Sequence, residues 1–194
     1  MRLILLALLF CGCSIADTIT LNMTEAPSQL IDSLTVSKGG LNFSFTNPDR
    51  TLSYNSGGPG NMTFIQDPSV AGGSSQFGVM FSGEVSSVQF GMAEIIGSAG
   101  GRLATIDLFD GGTVPFATST LNASVVDPFA EGMFSFSGGP VTSIRITPNS
   151  AAPLMAFDNL TVVTGIPEPK SVVLTVAGLA LVAWKLARLG AISA

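Results

Sequence analysis

The chain has 194 residues, of which 11% are charged, with eight basic and thirteen acidic side chains, two cysteines and no histidine. All thirteen acids lie between Asp17 and Glu168, where only Lys38, Arg50, Arg102 and Arg145 oppose them, so residues 17–169 carry a balance of −9. Such an acidic body has no electrostatic footprint for nucleic acid or anionic lipid, and the lack of histidine removes the commonest general base and transition-metal ligand.

The chain opens with the three regions of an export signal. Met1-Arg2 is a positive n-region, Leu3 to Phe10 an apolar h-region, and Ser14-Ile15-Ala16 a small-residue cleavage pattern. This predicts a signal peptide over 1–16 and a mature chain beginning at Asp17. Lipid modification at Cys13 fits less well, because Phe10-Cys11-Gly12 places bulk where small or aliphatic residues are preferred. Both cysteines fall in the removed segment, so the exported body has no thiol and must be stabilised by core packing or a bound ion.

From Asp17 to Thr164 the pattern is that of an all-β domain. Leu41-Asn42-Phe43-Ser44-Phe45-Thr46 alternates apolar and polar residues, as do Met62-Thr63-Phe64, Phe77 to Phe81, Ala104 to Leu108, Met133 to Ser137 and Ile144 to Thr147. Glycine, proline and Asx turns separate these runs, among them Asn47-Pro48-Asp49, Asn55 to Gly60, Asp110-Gly111-Gly112 and Ser137-Gly138-Gly139-Pro140. We expect strands near 18–23, 41–46, 61–66, 77–82, 85–92, 103–109, 119–126, 132–137, 141–147 and 157–164, forming an antiparallel sandwich or barrel.

Several local motifs have ordinary explanations. Five Asn-x-Ser/Thr triplets start at Asn22, Asn42, Asn61, Asn122 and Asn159, in a chain whose composition makes them by chance. Gly57-Gly58-Pro59-Gly60 precedes neither Lys-Ser/Thr nor a helix, so it is no phosphate loop. Asp110-Gly111 and Asp127-Pro128 are turn dipeptides. Glu84 and Glu94 are the carboxylates that could act as the acid and base of a polysaccharide hydrolase. No cleft signature accompanies them, and the expectation is that the protein is not an enzyme.

The chain closes on Ile166-Pro167-Glu168-Pro169-Lys170-Ser171, then an apolar run from Val172 to Trp184, then Lys185 and Arg188. Two prolines make a stiff extended break. Fourteen residues from Ser171 to Trp184 span ~21 Å of helix, and nineteen to Leu189 span ~28 Å. The longer count nears the ~30 Å hydrocarbon core, with Lys185 and Arg188 snorkelling to the headgroups and Trp184 at the interface. The sequence therefore predicts a membrane helix over about 171–189, its basic end in the cytoplasm.

This order of elements resembles the PEP-CTERM tail, a sorting signal of exported bacterial surface proteins. The resemblance covers residues 165–194 and implies processing by an exosortase-type membrane protease near Pro167-Glu168-Pro169. It departs from the usual pattern in its ending, where Leu189-Gly190-Ala191-Ile192-Ser193-Ala194 follows the basic residues. A glycolipid-anchored protein is the alternative, opposed by the two basic residues and the Pro-Glu-Pro break.

The body, 17–164, is also similar in pattern to the β-sandwich ectodomains that precede such tails and to carbohydrate-binding jelly rolls. Ala104 to Thr113, Ile144 to Thr147 and Ala156-Phe157-Asp158-Asn159-Leu160-Thr161-Val162 carry this likeness. It implies binding to extracellular polysaccharide or matrix, although Tyr54 and Trp184 are the chain's single Tyr and Trp.

Strand parity puts Asp158 on one face with Leu160 and Val162, which aims a carboxylate at the core. A buried carboxylate needs a partner or a metal. The jelly-roll resemblance implies a structural calcium at this aspartate; Glu25 and carbonyls of the first strand are the candidate co-ligands, and the competing reading is a turn cap. No other cofactor is expected. The whole reads as an exported, non-catalytic, jelly-roll-like sandwich at the cell surface or in the extracellular matrix.

Overall fold

The computed structural model describes residues 16–58, 60, 62–94, 101–126, 129–149, 154–164 and 178. The predicted signal peptide and sorting tail lie outside these residues, Ala16 and Gly178 excepted. Twelve strands follow in order: β1 Thr18–Leu21, β2 Gln29–Leu30, β3 Thr35–Lys38, β4 Leu41–Thr46, β5 Leu52–Ser56, β6 Ser69–Gly73, β7 Phe77–Glu94, β8 Arg102–Phe109, β9 Ala117–Asn122, β10 Val125–Val126, β11 Ala130–Pro148 and β12 Leu154–Thr164. Every pairing between them is antiparallel. Among the described residues no helix is long and apolar enough to cross a membrane.

Two long strands build both layers. The first parts of β7 (77–81) and last parts of β11 (143–148) pair with β4 and β8, and β3 and β9 flank these to complete one layer. The other parts, β7 85–94 and β11 130–137, pair with each other, with β12 beside β7 and β10 beside β11. β12 in turn takes β1 and β6, and β5 and β2 extend the layer. The register slips between Ser137 and Ser143, where Gly138 (φ 126°) and Gly139 (φ 63°) adopt conformations that suit glycine. Such irregularities let a strand bend and pass from one sheet to the other.

The two layers bury their facing sides against one another. Phe45 of β4 meets Tyr54 of β5 edge-on at 5.7 Å, and Phe77 of β7 meets Phe157 of β12 at 5.2 Å. Tyr54, Phe43, Phe45, Phe77 and Phe157 are fully buried or nearly so. Aromatic pairs of this geometry add to the burial term that drives folding. The chain's first and last described strands close the domain. Asp17 N–H donates to Thr164 Oγ1 at 2.9 Å, and Thr164 N–H returns to Asp17 O at 2.9 Å.

The architecture is the all-β antiparallel sandwich read from the alternation, but β2, β3, β5 and β6 are not among the expected strands, and four further expectations are corrected. The expected strands 77–82 and 85–92 are one strand, as are 132–137 and 141–147, because the intervening polar and glycine residues bend the chain without ending its pairing. The expected strand 61–66 is not a strand; Met62 N–H bonds Ile65 O in a tight loop. The turn expected at 55–60 begins later, since β5 continues through Asn55 (φ 50°) to Ser56. The expected strand 119–126 divides into β9 and β10.

Candidate functional site

Between β5 and β6 the described residues of 57–68 cross the outside of the second layer as a strap. Its backbone is held by carboxylates distant in sequence. Phe64 N–H donates to Glu131 Oε2 at 2.8 Å, and Gln66 N–H to Asp158 Oδ2 at 3.0 Å. Gly58 N–H donates to Asp67 Oδ1 at 2.7 Å within the strap itself. Ile65 is wholly buried against Ala93 and Ala156, with Met62 packed alongside. Small residues on the sheet permit the approach. A Cβ on Gly91 would overlap Phe64 O, so glycine is required there by space alone.

The strap explains where Asp158 points. Asp158 pairs with Gly91, and Ala156 with Ala93, in one unbroken register. The register then slips by one residue before Thr161, and Asn159 stands at φ 55°. This is a β-bulge, and its extra residue inverts the parity of the strand residues beyond it. Leu160 and Val162 face the main core, whereas Asp158 lies on the outer side with Ala156 beneath the strap. The sequence reading that put Asp158 on the same face as Leu160 and Val162 is therefore corrected. Burial pushes the Asp158 carboxyl above its usual range, against hydrogen bonds from Asn159 and Gln66 N–H that lower it.

Glu25, the expected co-ligand, is committed elsewhere. Its Oε1 accepts from Lys38 Nζ at 2.7 Å and Asn22 N–H at 3.1 Å, and its Oε2 from Tyr54 O–H at 2.7 Å and Thr24 N–H at 3.1 Å. Burial raises its pKa, but these bonds outweigh burial and hold it at about 2. Burial and the bond to Glu25 together push the Tyr54 phenol upward. Calcium takes six to eight oxygens. Among the described residues no three Asp, Glu, His or Cys side chains gather into such a set, and Asp158 Oδ1 is buried with no protein hydrogen-bond partner among them.

The remaining sequence candidates separate. Glu84 and Glu94 lie ten residues apart on β7, or ~33 Å along a strand, whereas the carboxyls of a glycosidase stand about 5–9.5 Å apart. Glu94 is buried in the row formed with Ala130 and Met155, and its Oε1 has no protein hydrogen-bond partner among the described residues. Burial raises it to about 7. Asp110 Oδ1 accepts from Gly112 N–H at 3.4 Å, the turn role expected. Asp127 and the tail residues Pro167, Glu168, Pro169, Val172, Trp184, Lys185 and Arg188 lie outside the described residues.

Beside the strap lies a cavity of about 330 Å³. Its lining includes Ala71, Ala93, Ala156, Phe129, Leu154 and the peptide groups of Gly57 and Gly58. Leu154 is 60% exposed at its margin. Sequence reading missed this cavity and Glu131. The one local signal was Ala130-Glu131-Gly132, a carboxylate between small residues ahead of an alternating strand.

No protein-family model matches the chain, and no curated protein does. Among solved structures, the K1 cleaved adhesin domain of Lys-gingipain from Porphyromonas gingivalis W83 is 9% identical, with a TM-score of 0.41, over 77% of this chain and 99% of that one. A family 29 carbohydrate-binding module, CBM29-2, solved with cellulohexaose, is 12% identical at a TM-score of 0.36, over 73% of this chain and 94% of that one. The xylan-binding domain CBM22-1 of Paenibacillus barcinonensis Xyn10C is 11% identical at 0.28, over 73% and 94%. None of these likenesses bears on what this chain binds.

Proposed function

We propose that the chain is an exported, non-catalytic β-sandwich of the cell surface or extracellular matrix, sorted by a PEP-CTERM-type tail. The observation that carries this reading is the order of Pro167-Glu168-Pro169, the apolar run Val172 to Trp184, and Lys185 with Arg188, behind a body with no cysteine or histidine. A cysteine-free sandwich reaches stability through its core, and the buried ring pairs across the two layers supply that. An exosortase-type protease is the processing partner, and the membrane helix holds the precursor with its basic end inside.

The ligand class we assign is extracellular polysaccharide, at the cavity beside the strap. An apolar floor with one aromatic wall suits the face of a sugar ring. Mass spectrometry of the mature protein tests the sorting. The expected N-terminus is Asp17, and Glu168→Ala should leave uncut precursor in the membrane; intact Met1 on a cytosolic protein would end this reading. Affinity electrophoresis in gels containing polysaccharide tests the ligand. Retardation that Phe129→Ala abolishes is the expected result, and equal mobility with and without polysaccharide refutes it.

A further inference from the structure

The strand β9 closes one side of the first layer and pairs with β8 alone among the described residues. An outermost strand presents peptide groups without partners, and folded proteins blunt such edges with short strands, charges, proline or bulges. The other outer strands are blunted in this way. β2 and β10 have two residues each, β3 ends on Lys38, and the four residues of β1 follow Asp17. β9 is longer and bare. Its sequence Ala-Thr-Ser-Thr-Leu-Asn holds no charge and no proline, and no ionisable side chain occurs from Gly111 to Val126. Thr118, Ser119, Thr120 and Asn122 are exposed.

We propose that β9 is a strand-addition surface whose occupant is β9 of a second copy, paired antiparallel about a two-fold axis at Ser119. Self-pairing about a two-fold sets each residue opposite its counterpart in reverse order. With Ser119 opposite Ser119, Ala117 meets Leu121 and Thr118 meets Thr120. Apolar thus faces apolar and hydroxyl faces hydroxyl, the pairs that stabilise neighbouring strands. Charge selects the same surface. Two bodies with a balance of −8 over residues 17–164 repel one another, so like copies meet best where the surface is uncharged.

Exposed apolar side chains extend the contact. Val114 is 75% and Phe116 42% exposed just ahead of β9, with the Phe116 ring edge-on to Phe136 at 6.0 Å. In the same register Phe116 stands opposite the partner's Asn122, and Val114 reaches beyond it. A pair of six-residue strands covers less than the ~1,200 Å² of a stable standard interface. The association is accordingly weak in dilute solution and grows where copies are crowded.

The test uses the full chain with Cys11 and Cys13 replaced by serine, so that an introduced thiol is the sole one. Facing Cα atoms in an antiparallel pair are ~4.5–5.5 Å apart, within a disulfide's reach, so Ser119→Cys should yield about tenfold more oxidised dimer than Asn122→Cys. Asn122 and its symmetry mate would stand six residues out of register, ~20 Å apart. Ser119→Lys, which opposes two ammonium groups, should abolish the dimer seen by sedimentation at high concentration while Tm holds. Equal cross-linking at 119 and 122, none at 119, or a dimer that survives Ser119→Lys would each overturn the proposal; association through the apolar tail would give the first or last of these.

Discussion

Asp158 and Leu160 stand two residues apart on β12 and face opposite sides of the sheet, because Asn159 between them turns the backbone to φ 55°. A regular strand would put both on one side. The bulge frees the carboxylate from the core and offers it to Gln66 N–H of the strap.

The bulge should be sensitive to the residue that makes it. Asparagine tolerates the left-handed region, glycine does so at no steric cost, and β-branched residues do not. Asn159→Gly is expected to leave stability nearly unchanged, whereas Asn159→Val should cost about 1–3 kcal/mol. Urea denaturation of the two variants measures the difference, and equal midpoints would contradict the left-handed geometry.

Glu94 should make the domain more stable in mild acid than in mild alkali. Its folded pKa of about 7 lies above the ordinary 4.5, so the fold holds this proton more tightly than the unfolded chain does. That contribution is fully present below pH 4.5 and is lost as pH rises through 7. Glu94→Gln is therefore expected to gain stability at pH 8, on the order of 2 kcal/mol, with the gain vanishing at pH 4. Thermal melts at both values check it; a pH-independent gap would mean the carboxyl ionises freely.

Glu25 should act in the opposite sense. Its folded pKa of about 2 lies below 4.5, so its stabilisation is present above pH 4.5 and lost as pH falls toward 2. Glu25→Gln is expected to weaken the domain at pH 7 by about 1–2 kcal/mol, less than the full shift implies because the paired Lys38 is partly exposed. Since all four of its bonds come from protein donors, a calcium chelator should leave the contribution of Glu25 unchanged. A fall in Tm on chelation that Glu25→Gln does not alter would place a calcium ion at Asp158 instead.

Gly91→Ala should release the strap without unfolding the sandwich. The added methyl overlaps Phe64 O, and the strap is held to the sheet by fewer backbone bonds than the paired strands beneath it. The expected signature is proteolysis within 57–66 at enzyme levels that leave the wild type intact, with the β-sheet circular dichroism spectrum retained. Resistance equal to wild type would show that the strap accommodates the methyl group.

Alternation made the paired interior of the fold legible. Leu41 to Thr46 and Ile144 to Thr147 each repeat their apolar residues at a period of two and sit centrally in the first layer. The bends escaped notice because Ser82-Gly83-Glu84 and Gly138-Gly139-Pro140 have the composition of turns, while the strands continue through them on pairing from neighbours. β6, with two glycines in five residues, carries no alternation at all. The strap was beyond local reading for another reason: its two sheet anchors, Glu131 and Asp158, are 67 and 92 residues from the peptide groups they hold. Asp158 was recognised as a carboxylate in need of a partner, but the direction in which it would find one depended on a single dihedral at Asn159.

The mutual hydrogen bonds of Asp17 and Thr164 give the domain a topological freedom that its sequence length conceals. A chain whose two ends meet can be spliced into a loop of an unrelated host without prising that loop apart, or be sealed into a ring and reopened elsewhere. The uncharged turn at Gly111-Gly112 is the natural place to reopen it, leaving β1 and β12 joined by a short linker and every layer intact. Evolution has the same liberty, so this sandwich is a cassette that can be passed between proteins as a unit.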